Sequence, residues 1–118
     1  MPSVVRIPRT DLREGTTERI LMQLLADDVA IDLSAIDHVE LEMKDTRRNV
    51  YRYSSTDASP KVGVQVAVEG LVFFDPPTKL FKTILSPYVG YVFVYETPTR
   101  KFAVPEDTEF FIHVRRNF

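Results

Sequence analysis

Two histidines, His38 and His113, are the only imidazoles in the chain, and they stand far apart. Neither sits in a metal-ligand spacing such as His-Glu-x-x-His, so they read as surface or partly packed side chains. The acids Asp27, Asp28 and Asp32, and later Glu106, Asp107 and Glu109, form two short clusters. A calcium loop of the EF-hand kind needs acids at alternate positions around a central glycine, a pattern neither cluster has. Turn and strand-end charges account for them. Glu40 and Glu42 point the same way along an extended chain, as on a solvated strand face. Nucleophile motifs are missing: there is no Gly-x-Ser-x-Gly, no Ser-x-x-Lys and no cysteine. No glycine-rich phosphate loop occurs either. The chain therefore reads as a protein that is not an enzyme, with no metal and no cofactor.

Contact chemistry is what remains. Arg6, Arg9, Arg13, Arg47, Arg48, Arg115 and Arg116 are scattered and interleaved with acids. Tyr51 and Tyr53 lie near Arg47, Arg48 and Arg52, which leaves a stacking groove for single-stranded nucleic acid open. A hairpin with cross-strand aromatic pairs and arginines in its turn explains the same residues more simply. The net charge of −2 gives no global reason to expect nucleic acid. Interface cores are enriched in aromatic residues and arginine. On that ground Tyr51, Arg52, Tyr53, Phe111, His113 and Phe118 are the candidate protein-binding residues.

These side chains need a scaffold, and composition bounds it. With 118 residues, 44% apolar and 27% charged, the chain fits one globular domain, residues 1–118. The start, MPSVVRIPRT, lacks the apolar core of a signal peptide, and no apolar run approaches the roughly 20 residues of a membrane helix. The expectation is a protein made in the cytosol, with no membrane partner.

Prolines do most of the punctuation. Eight occur against four glycines, and Pro8, Pro60, Pro76, Pro77, Pro87, Pro98 and Pro105 cut the chain into strand-length pieces. Tyr91, Phe93 and Tyr95 alternate with Val92 and Val94, while Phe110, Ile112 and Val114 alternate with Phe111 and His113. Strands are predicted at 4–7, 19–26, 38–44, 50–54, 63–68, 71–74, 88–96 and 109–115. Val39, Leu41 and Met43 should point inward, and Val64, Val66 and Val68 should share one face. Residues 19–26 also fit a helix by propensity; a strand is preferred because the Asp27-Asp28 turn would pair it with VAIDL. PTKLFKTIL is predicted as a short helix, with Leu80, Phe81, Ile84 and Leu85 as its apolar stripe.

The order of these features resembles the N-terminal immunoglobulin-like domain of phage baseplate upper proteins and related small tail or baseplate modules. Asp32-Leu33-Ser34 after the early strand, the strand Val39 to Met43, the LFKTIL segment, Tyr88-Val89-Gly90-Tyr91, Pro105 and the closing strand Phe110 to Val114 carry the likeness. Where that family has a glycine-containing turn, this chain has Ser86-Pro87. The resemblance implies an all-β fold, an immunoglobulin-like antiparallel β-sandwich of seven or eight strands with one short helical insertion. It also implies a structural component of a phage or prophage virion, tail or baseplate associated. Such a component would sit in the host cytoplasm during assembly, bind other virion proteins, and be compatible with a homo-oligomer. A carbohydrate-binding sandwich that recognises the host surface is the alternative; it would show coplanar, solvent-facing tyrosines.

Overall fold

Only an extended chain sends successive side chains to opposite faces, so alternation of apolar and polar residues decides the architecture. A computed structural model describes residues 3–7 and 11–116. Its strands are β1 (Ser3–Arg6), β2 (Asp11–Arg13), β3 (Ile20–Ala26), β4 (Val29–Ala30), β5 (His38–Lys44), β6 (Val50–Ser54), β7 (Val62–Val66), β8 (Leu71–Phe74), β9 (Tyr88–Tyr95), β10 (Lys101–Val104) and β11 (Phe110–Arg115). One sheet runs β1-β3-β8-β7, with β4 also pairing β3. The other runs β2-β11-β9-β5-β6, with β10 also pairing β9. Apart from the parallel pair of β2 with β11, the pairings are antiparallel.

Subdivision explains why there are more strands than the sequence predicts. β1 and β2 divide the opening strand between the two sheets. β10 and β11 are one strand interrupted, since Val104 stands across from Val92 and Phe110 across from Gly90. Residues 105–109 are left opposite Tyr91 alone. Counting each divided strand once, and setting the two-residue β4 aside, one sheet carries the first, second, sixth and fifth strands. The other carries the eighth, seventh, third and fourth. That is the strand arrangement of an immunoglobulin-like sandwich with an added edge strand.

The core lies between the sheets. Val39, Leu41 and Met43 of β5 and Val92 and Val94 of β9 are fully buried in one cluster with Met22, Leu24, Val62, Val72 and Phe74. Burying each large aliphatic side chain is worth about 1.5–3 kcal/mol. Residues 20–26 form a strand, as preferred, because Ile20, Met22 and Leu24 face this layer while β4 folds back through the Asp27-Asp28 turn, both aspartates at positive φ. β9 approaches β5 so closely at Gly90 that a Cβ there would stand 2.3 Å from the Glu42 carbonyl oxygen and 2.9 Å from Met43 Cγ.

Two local expectations fail. The segment predicted as a helix is irregular: a single turn closes the Leu80 N–H on the Pro77 carbonyl, and only Thr83–Leu85 is helical, as a 3-10 helix. The cause is Tyr88, a wholly buried phenol that needs partners. Its hydroxyl donates to the Leu80 carbonyl at 2.6 Å and accepts the Lys82 N–H at 3.0 Å. Lys82 is thereby held extended (φ −127°, ψ 139°), Leu80 and Phe81 both enter the core, and Ile84 is left 65% exposed. In β7, a bulge between Val64 and Val66 shifts the register, so Val64 stands across from Val72 but Val66 across from Leu71. Val66 therefore faces the other way, and Val68 is exposed in a second 3-10 turn, Ala67–Glu69.

Gly90→Ala should lower stability by roughly 3 kcal/mol, the upper end of overpacking costs, because the added methyl meets backbone that cannot rotate aside. Urea denaturation should show a lower midpoint at unchanged slope.

Candidate functional site on the outer face of the six-stranded sheet

The ladder that buries Val92 and Val94 necessarily turns Tyr91, Phe93 and Tyr95 outward. Cross-strand register assembles them with their neighbours into rows. Tyr91 lies across from Glu42, and Glu42 from Arg52; Phe93 lies across from Glu40 and Ala103; Tyr95 lies across from His38 and Lys101. A further row runs Phe111, Val89, Lys44, Val50. Phe111 is 53% exposed and Val50 45%, so this row is the apolar part of the face.

Several charges on the face are paired. Glu42 accepts a hydrogen bond from the Tyr91 hydroxyl on one oxygen and from Arg52 Nε at 2.5 Å on the other. The Tyr91 hydroxyl, opposed by partial burial and aided by Arg52, holds the Glu42 carboxyl below its usual range. The same contact pushes the Tyr91 phenol up. His38 stacks on Tyr95 with ring centroids 4.0 Å apart, and its Nδ1 lies 2.6 Å from Asp37. Lys101 Nζ sits 4.1 Å above the centre of Phe93. These contacts tie Arg52, Tyr91, His38 and Lys101 to their neighbours, so the face is a mosaic of rings and charges. A shallow groove of about 430 Å³ opens between this ladder and residues 105–109, with Tyr91 and Phe93 on one wall and Glu106, Asp107 and Glu109 on the other.

The structure divides the six residues proposed from sequence. Arg52, Phe111 and His113 share this outer face, although β6 and β11 are separated by β5 and β9, about 14 Å at the usual strand spacing. Tyr51 and Tyr53 point the other way. The Tyr51 hydroxyl donates to Asp45 Oδ2 at 2.7 Å, and the Tyr53 ring packs 5.1 Å from that of Phe74. Both complete the core's margin. Phe118 lies outside the described residues. Tyr91, Phe93, Tyr95, Glu42 and Lys101 were missed as site residues. Their signal was the β-branched identity of Val92 and Val94, which marks the inward parity.

Among the described residues no three metal-ligating side chains converge, and no helix is long and apolar enough to cross a membrane. Tyr91 and Phe93 meet at 70°, not coplanar as a sugar-stacking platform requires. Comparison with protein-family models, curated proteins and solved structures finds no match for the chain.

Carboxylates set the acid response. Burial pushes Asp45 up, but bonds from Tyr51, Asn49 and the Arg47 N–H outweigh it and hold the group below its ordinary value. Arg19 does the same for Asp75 through two hydrogen bonds, at 2.8 and 2.9 Å. Folded values below unfolded ones mean stability that is complete above the unfolded carboxylate range, about pH 4. It is lost as pH falls through the folded values. Urea midpoints measured from pH 7 down to 2 should therefore drop below about pH 4. Asp45→Asn should lower the neutral plateau and flatten that drop.

Proposed function

We propose that this chain is a non-enzymatic structural component of a phage or prophage virion, associated with the tail or baseplate. It binds other virion proteins through the outer face of the six-stranded sheet. The observation that carries the reading is the uncovered mosaic of Tyr91, Phe93, Tyr95, Arg52 and Phe111 on a rigid ladder. Aromatic rings and arginine are enriched at protein interfaces, and side chains already held by neighbours lose less freedom on binding. The resemblance of its sequence features, in their order along the chain, to baseplate upper domains supplies the setting. Repeated assemblies dock many identical modules through such faces. The tilt between Tyr91 and Phe93, and the lysine above Phe93, give the carbohydrate reading less support.

Particles purified from an induced lysogen should contain the chain at a fixed copy number by mass spectrometry. Deleting its gene should leave particles without a complete tail tip in electron micrographs. Phe111→Asp should change stability by less than about 0.5 kcal/mol, as exposed substitutions do. It should still reduce incorporation about tenfold, the scale of an aromatic interface anchor. Intact, infectious particles lacking the chain would remove this reading.

A further inference from the structure

The rim of the six-stranded sheet presents a different kind of contact. Next to β6, the Asp45 N–H donates to the Asn49 carbonyl at 3.2 Å, and the Ser55 N–H to the Val39 carbonyl at 2.9 Å. Bonded and non-bonded pairs alternate in an antiparallel ladder, so Tyr51 and Tyr53 also spend their backbone groups on β5. The N–H and C=O of Val50, Arg52 and Ser54 consequently point away from the sheet. Asp57 Oδ2 closes the Ser54 N–H at 3.0 Å. No described residue bonds the backbone of Val50 or Arg52 on that side.

Other margins carry the usual protections against added strands. β7 is broken by its bulge, β10 runs into Pro105, and β1 and β2 have only four and three residues. β6 is regular and free of proline. At its open end the turn displays Arg47 and Arg48. The Asp45 carboxylate beside them is consumed by the turn itself, accepting from the N–H groups of Arg47 and Asn49, from Asn49 Nδ2 and from Tyr51. Neither guanidinium forms an ion pair with a described acid.

We infer that β6 accepts an extended acidic segment of a partner protein as an added strand. The segment bonds to the backbone of Val50 and Arg52 and lays its carboxylates against Arg47 and Arg48. In an antiparallel pair with a second copy the strand ends are exchanged, so Arg47 and Arg48 would meet Ser54–Asp57, whose one carboxylate already closes the Ser54 N–H; the two guanidiniums therefore favour a foreign, acidic strand. The inference concerns the rim rather than the sheet's face, and it holds whatever assembly the chain serves.

The probe is a synthetic seven-residue peptide of alternating valine and glutamate, titrated into the full chain and followed by amide NMR and hydrogen exchange. Slower exchange at Val50 and Arg52 is expected, with no binding of the matched valine–lysine peptide. Val50→Pro removes an N–H that the fold does not use and should weaken binding about five- to tenfold, the worth of a lost hydrogen bond. Arg47→Ser with Arg48→Asn, where asparagine suits the positive φ of 65° at residue 48, should weaken it about tenfold and reduce its salt dependence. Equal binding of the lysine peptide, protection centred on Lys101–Val104 instead, or no binding of either peptide at millimolar concentration would overturn the inference. Each of these outcomes leaves the virion-incorporation test untouched.

Discussion

The seven-pair antiparallel ladder between β5 and β9 is the constraint from which the rest follows. Its inner side chains, Val39, Leu41, Met43, Val92 and Val94, have no exposed surface. Its outer ones are His38, Glu40, Glu42, Tyr91, Phe93 and Tyr95. A slip of one residue would exchange the two sets and drive two glutamates into the core, at several kilocalories per mole for each ion. The close approach at Gly90 marks the same register sterically. Core and candidate site are thus two sides of one pairing, and neither can be rebuilt without the other.

Much of this fold was legible in the sequence. The strand 38–44 could be read because its polar positions are strongly polar and its apolar ones strongly apolar. Residues 19–26 were ambiguous, and a tertiary fact decided them: a sheet was waiting to cover Ile20, Met22 and Leu24. The helix expected after Pro77 failed because helical spacing says nothing about a distant phenol. Tyr88 needed two backbone groups that a helix would have kept for itself. β2 and β10 were too short to show periodicity, and the bulge in β7 has no signature beyond its neighbours' packing.

The site was less legible, for a physical reason. Residue type tells what a side chain prefers to touch, but parity within a strand decides which way it points. Tyr51 and Tyr53 were read beside Arg52 as one patch; alternation instead sends the tyrosines into the margin of the core and the arginine outward. Tyr91 and Tyr95 of β9 were not among the candidates and turn out to face solvent in part. A sandwich of this kind supports many unrelated roles, so the fold alone chooses none of them.

The interruption between β10 and β11 has a consequence for how the molecule can vary. Residues 105–109 leave and rejoin the same neighbour strand, with paired backbone on both flanks. Lengthening this excursion between the exposed Asp107 and Thr108 leaves the buried Pro105 and the Glu106 N–H bond to Ser3 in place, and its entropic cost grows only with the logarithm of its length. It is the natural place to graft a foreign epitope or affinity tag, presented on a stiff frame whose hydrophobic interior never registers the insertion.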